Sequence, residues 1–378
     1  MAKQGFRIID SDMHVMEPPD LWREHLPAKY RDRAPRISRV PGEDRLTWSF
    51  EGRFFPAFTD HPKRAKLNKA RFDPEHEKFR RYDDALARRF DAKSQLDAMD
   101  EEGIDIAVTF RTIGSHVIAI DDLDPDLEAA LAGAFNRWLA ARCAEDPDRL
   151  KATAVLPLQN IEHAVAEARH AARELGHVAL VLPTNPVRER SWYHEDYDAI
   201  WRTACDLGVP VAFHGIQGAY QEHLGNRYLD NLMLMHAAAH PVEQMLCLGG
   251  MITGGVFDRF PELRVAYLEG SCGWLSWWLW RLDEEWEKVG HADRVQLAMR
   301  PSEYFGRHCF VAVEPDEVVL PDVVDRVGDD CLVISSDWPH DDSGYPHSMD
   351  NFLAVEGLSK ETQRKVLWDN CARLYDLA

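Results

Sequence analysis

The sequence predicts an α/β fold of the (β/α)8 TIM-barrel class, a single domain over residues 1–378, and three observations carry that expectation. Short apolar runs alternate with longer helical patterns, as parallel βα units do. Eight such runs can be counted, the number that closes a barrel. No GxGxxG or P-loop follows the first of them, as an open nucleotide-binding sheet would require.

Taken in order, the candidate strands are residues 6–12, 106–110, 152–156, 178–182, 209–214, 264–269, 309–313 and 331–335. Most are dense in Val, Ile, Leu and Ala, which suits strands covered on both faces. Between them, residues 94–102 place Leu96 and Met99 on one helical face and meet Gly103 as a stop. Further helices are expected over 127–144, 161–175, 197–207, 242–260, 273–287 and 317–327. A last one, 360–375, follows Ser359 as its N-cap. The tryptophan stripe in 273–287 puts Trp274, Trp277, Trp278 and Arg281 on one face, read as core or a subunit contact.

Two stretches exceed what a bare barrel needs. Residues 17–93 form an insertion after the first strand, with a small hairpin (45–50 and 53–55) turning at Glu51-Gly52 and ending at Pro56. Residues 215–240 form a long loop after the fifth strand. Both follow strand ends, so both are expected to cover the catalytic face as a lid. The aromatics Trp48, Phe50, Phe54, Phe55 and Phe58 of the first insertion suit either lid packing or an apolar substrate.

The bulk numbers narrow the partners. A net charge of −20 argues against nucleic acid and anionic membranes and points to a solvated acidic surface. No apolar run is long enough to span a membrane, and residues 1–6 lack the pattern of a signal peptide. The seven cysteines are odd in number and scattered without a CxxC, as expected of reduced thiols in a cytoplasmic protein.

Functional groups in this fold collect at strand ends. The first strand ends with Asp12 and His14, which share a face at a spacing of two. The fifth ends at His214, the sixth at Glu269, and the eighth leads into Asp337 and His340. Any one of these has an ordinary structural explanation, such as a buried hydrogen bond, a helix cap or an ion pair. Together they form the mixed imidazole and carboxylate set that binds Zn, Fe or Mn as a divalent cation. A metal on Asp12, His14, His214 and Asp337 would polarise a substrate oxygen or acidify water, with Glu269 or His340 moving protons. Glu269, His240 and Glu17 are further candidate ligands, so the site has room for one or two ions. Arg111, just past the second strand, is a candidate for a substrate carboxylate. His236, one helical turn from His240, is assigned to hydrogen bonding.

At these residues the chain resembles the amidohydrolase-2 family, the branch that contains aminocarboxymuconate-semialdehyde decarboxylase and related aromatic acid decarboxylases. The likeness runs from 10–18 through LDAMDEEGIDIAV (96–108), GGVFDRFPELRVAYLE (254–269) and 335–340 to VLWDNCARLY (366–375). The resemblance implies metal ligands at Asp12, His14, His214 and Asp337. It implies no carbamylated lysine, because Pro183-Thr184-Asn185 follows the fourth strand. It also implies a small-molecule substrate and a homodimer. One departure stands out: decarboxylases of the family carry a His at the end of the sixth strand, and this chain has Glu269.

That departure places metal-assisted hydrolysis of a small organic acid, ester or lactone slightly ahead of nonoxidative decarboxylation. A nonheme diiron monooxygenase acting on an apolar, terpenoid-like substrate, and a non-catalytic barrel, are the alternatives.

Overall fold

The computed structural model describes residues 3–41, 46–55, 77–114, 118, 120–215 and 231–377. Strand β1 (Ile9–His14) is followed by a small antiparallel sheet of β2 (Arg36–Arg39), β3 (Leu46–Phe50) and β4 (Arg53–Phe55). Seven more strands follow: β5 (Ile106–Phe110), β6 (Leu150–Val155), β7 (Ala179–Leu182), β8 (Val211–His214), β9 (Val265–Leu268), β10 (Cys309–Val313) and β11 (Leu332–Ile334). With β1 they form one sheet in the order β1-β5-β6-β7-β8-β9-β10-β11, every pairing parallel. The gap between β11 and β1 is bridged by Ser11 Oγ donating to the Ile334 carbonyl (2.6 Å) and His14 N donating to that of Trp338 (2.6 Å). This is the expected barrel.

Alternation along the strands makes two cores. On β8, Ala212 faces the barrel interior with Val108, Ala266 and Val333, and His214 lies two residues further along that face. Val211 and Phe213 point outward, where the Phe213 ring meets Trp192 (5.4 Å) and Trp201 (6.3 Å). The pairing of β1 with β5 slips between Asp10 and Met13, a bulge immediately before the strand end.

Buried carboxylates hold several strand–helix connections in place. Glu128 accepts from the amides of Leu158 (2.9 Å) and Gln159 (2.8 Å), and Glu102 from those of Ser348 (2.8 Å) and Met349 (3.0 Å). Glu317 does the same for Cys272 and Gly273, in the loop that follows Glu269. Part of the acidic excess therefore serves the interior as well as the surface.

Several expected elements differ in extent. The helix expected from 242 begins at Leu232 and runs to Thr253 through Pro241, capped by the Asn231 side chain on Leu234 N. A short helix, Val256–Arg259, follows it separately. The final helix is interrupted by a π-turn at Lys365–Asp369, although Ser359 caps it as expected. Helices Leu21–His25, Pro301–His308 and Ser348–Leu353 and strand β2 are additions. Gly103 does end its helix, at φ 76°. The tryptophan stripe divides: Trp274 and Trp278 pack on the core, whereas Trp277 and Trp280 are more than half exposed. Trp277 is thus not core. Among the described residues, no helix is long and apolar enough to cross a membrane.

Candidate metal centre

The C-terminal ends of β1, β8, β9 and β11 bring six of the expected side chains together. Asp12 and His14 are fully buried, and His214 is 1% exposed. His14 Nε2 lies 3.3 Å from Asp12 Oδ1, 3.3 Å from Asp337 Oδ1 and 3.1 Å from His214 Nε2. His214 Nε2 lies 3.3 Å from Asp12 Oδ2 and 3.1 Å from Glu269 Oε2.

A backbone contact fixes the His14 tautomer. His14 Nδ1 sits 2.8 Å from the Arg111 carbonyl, which can only accept, so the proton is on Nδ1 and Nε2 is bare. His214 Nδ1 lies 3.0 Å from the Gly215 carbonyl and 2.8 Å from Arg111 Nη1. That guanidinium nitrogen can only donate and that carbonyl can only accept, so the two contacts favour opposite tautomers of His214. The bare His14 Nε2 faces His214 Nε2 at 3.1 Å, flanked by both oxygens of Asp12, neither of which has a hydrogen-bond partner. Burying such a set unpaired is costly, and a cation among them removes the cost. The donor set therefore fits a divalent metal. Asp12, His14 and His214 form one group of possible ligands, and His14, Asp337 and His340 a second. The two groups share His14.

Charge is arranged to match. Burial would raise the Asp12 carboxyl, but the neighbouring His214 ring holds it below the usual carboxylate range. Burial, aided by His340, pushes His14 down to about 4 and keeps it neutral. Glu269 is held low against its burial by His240, His214 and His340. His340 is raised to about 10, because Asp337 and Glu269 outweigh its burial, and its Nδ1 lies 2.7 Å from Asp337 Oδ1. Asp337 is itself pushed up by burial, so this pair shares a proton. Both Glu269 (φ 57°) and Asp337 (φ 55°) occupy the left-handed region, which costs a non-glycine residue about 1–3 kcal/mol and is found where function demands it.

Other candidates sit differently. Glu17 is outside the cluster: its carboxylate accepts from the amides of Thr112 (3.0 Å), Ile113 (2.9 Å) and Gly114 (2.8 Å). Arg111 borders the cavity, yet its Nη2 is engaged by the carbonyls of His214 (3.0 Å) and Gly215 (3.1 Å). His240 Nε2 is 3.8 Å from Glu269 Oε1, at the edge of the cluster. A Cβ at Gly215 would fall 2.1 Å from His240 Nδ1, so only glycine lets that ring approach. His236 pairs with Asp342 at 3.0 Å.

Two participants carry no local sequence signal. Asp10 Oδ1 accepts from Asp12 N (3.1 Å) and Ser336 N (3.2 Å), tying the β1 end to the β11 end. Thr112 Oγ1 touches both His14 Nδ1 (3.3 Å) and His340 Nε2 (3.1 Å).

A cavity of about 450 Å³ opens over these groups. His14, Arg111, His214, Glu269 and His340 border it, as do Met16, Phe79, Tyr82, Leu86, Phe90, Ile113 and Pro339 and the polar Asp83, Thr112, His236, His240, Asp341 and Asp342. Of the aromatics named in the first insertion, Phe50 and Phe54 line a different hollow and Trp48 packs edge-on against Trp22 at 5.4 Å. Phe58 and the Phe55 side chain lie outside the described residues, as do residues 216–230 of the second insertion.

Known proteins resemble this chain in sequence and in fold. The chain is 25% identical over 289 residues to the gamma-resorcylate decarboxylase of Polaromonas sp. (strain JS666), covering 74% of this chain and 85% of that protein. It is 26% identical over 209 residues to the 2-amino-3-carboxymuconate-6-semialdehyde decarboxylase of Dictyostelium discoideum, covering 55% of this chain and 56% of that one. Among solved structures, the amidohydrolase map2389c of Mycobacterium avium subsp. paratuberculosis K-10 superposes with a TM-score of 0.77 at 23% identity, over 98% of this chain and 99% of that one. A dihydroxybenzoic acid decarboxylase from Polaromonas sp. JS666, solved with bound manganese and the inhibitor 2-nitroresorcinol, gives 0.66 at 18% identity, over 98% and 97% of the chains. At such identities the structural matches speak for the fold. The model of the amidohydrolase family designated Amidohydro_2 matches residues 9–377, and the chain belongs to that family of metal-dependent enzymes.

Proposed function

We propose that this chain is a metal-dependent nonoxidative decarboxylase of hydroxylated aromatic acids. The observation that carries the proposal is the bare His14 Nε2, 3.1 Å from His214 Nε2, beside the unpartnered, fully buried carboxylate of Asp12. Asp12, His14, His214 and Asp337 would hold one divalent cation, and the manganese of the Polaromonas relative favours Mn2+ among Zn, Fe and Mn. When bound, that cation would anchor the acid's carboxylate and neighbouring oxygen and draw off electron density.

The reaction exchanges a carboxylate for a proton, so the chain must hold a proton and deliver it to the ring carbon. His340 is the store, with Nδ1 against Asp337 Oδ1 at 2.7 Å. Its proton passes to the carbon that bears the carboxylate. The carbon–carbon bond then breaks, its electron pair returns to the ring, and CO2 leaves. Glu269, ionised and 4.0 Å from His340 Nδ1, steadies the imidazolium and helps return a proton for the next turnover. Arg111 orients His214 rather than clamping the acid, since its Nη atoms are already engaged.

Hydrolysis would use the same groups on water. The curated relatives named above are decarboxylases, which moves the reading toward loss of CO2. They lend no support to the oxygenase alternative, which is not proposed. The lid role of residues 17–93 belongs to this proposal: Phe79, Tyr82, Leu86 and Phe90 would cover the bound acid.

The test is CO2 release from 2,6-dihydroxybenzoate and related acids by Mn2+-loaded protein under anaerobic conditions, with and without chelator. Metal-dependent CO2 release without oxygen is expected. A strict oxygen requirement, or ester cleavage with no CO2, would contradict the proposal.

A further inference from the structure

We infer that the acid this site takes carries an apolar group the size of a second ring or a short alkyl chain, recognised by Phe79, Leu86 and Phe90. The inference rests on the decarboxylase reading for the reaction but on separate residues for the size. Sites of roughly 300–1,000 Å³ enclose drug-sized molecules, and the cavity here, about 450 Å³, is several times a lone benzoate ring.

Away from the metal ligands the cavity has an apolar wall, and its polar groups there include Asp341, paired with Lys78, and Asp342, paired with His236. Phe79, Leu86 and Phe90 border it together with Met16 and Ile113. Tyr82 presents only its ring, because its hydroxyl is held by Ser343 Oγ (2.7 Å) and the His340 carbonyl (3.0 Å). A hydroxybenzoate would satisfy the polar end and leave this wall facing water. Phe90 is held in place at a backbone cost: its φ is 49°, and its ring packs against Trp338 (6.0 Å) and Tyr82 (6.2 Å). Leu86, by contrast, is 63% exposed at the mouth. A large apolar side chain left there gains most when a ligand covers it.

The experiment compares kcat/KM of the Mn2+-loaded enzyme for 2-hydroxybenzoate, 1-hydroxy-2-naphthoate and a 6-pentyl-2,4-dihydroxybenzoate, with calorimetric binding of the corresponding phenols. One or more buried methylenes are worth about tenfold or more, so a preference of at least that size for the larger acids is expected. Leu86→Ser, at an exposed position that leaves the fold intact, and Phe79→Ala should lower kcat/KM for the larger acids several-fold more than for 2-hydroxybenzoate, shrinking the preference. Equal rates for small and large acids, or an unchanged preference in both variants, would overturn the inference. Tight binding of the larger phenols with no CO2 from any acid would instead leave the size inference standing and remove the proposed reaction.

Discussion

Replacing Glu17 separates two roles that a carboxylate beside a metal centre can have. Its oxygens receive the amides of Thr112 (3.0 Å), Ile113 (2.9 Å) and Gly114 (2.8 Å), and the residue is 6% exposed. Glu17→Ala strands three amides, each worth about 1–3 kcal/mol if it stays dry. Thr112 and Ile113 are half-buried and recover part of this from water, so a net loss of about 3 kcal/mol is expected. The loop it releases also carries the Arg111 carbonyl that fixes the His14 tautomer, so cation affinity should fall about 10–100-fold. Glu17→Gln keeps one acceptor oxygen and should lose about 1–2 kcal/mol while binding the cation within a few-fold of wild type. Thermal unfolding and Mn2+ titration read both quantities. A folded Glu17→Gln protein that no longer binds metal would show that Glu17 is a ligand and that the anchoring account is wrong.

Two further outcomes are expected. Gly215→Ala should push His240 away from Glu269, since its Cβ would fall 2.1 Å from His240 Nδ1; turnover should drop at least about tenfold with the fold retained, and wild-type turnover would refute the close approach. Glu243 is raised by burial from 4.5 to about 7, so the folded state binds its proton more tightly than the unfolded state. Stability from this group is full below about pH 4.5, is lost as pH rises toward 7, and is flat above, a change of at most about 3 kcal/mol. Glu243→Gln should therefore melt higher than wild type at pH 8 and match it near pH 4.5, and an equal difference at both would refute the assignment.

The barrel was legible because its strands are buried on both faces and so appear as unbroken apolar runs: 106–110 and 309–313 match their strands residue for residue. The helix from Leu232 was cut short at Pro241, since a proline inside a helix is the exception and reads as a boundary. The metal-site residues were visible because strand ends gather function in this architecture. Thr112 and Asp10 were not, as each matters through a neighbour that only folding supplies. Nor were Phe79, on the short helix Glu77–Tyr82, and Phe90, placed by φ values of 56° and 49° at Arg89 and Phe90, positions that no hydrophobic period foretells.

The central claim is that one cation sits among residues drawn from positions 12, 14, 214 and 337. Anomalous diffraction from crystals of the Mn2+-loaded protein tests it directly. A single strong peak within coordination distance of His14 Nε2, His214 Nε2 and an Asp12 oxygen is predicted. A peak elsewhere, or none at full Mn2+ loading, would contradict it.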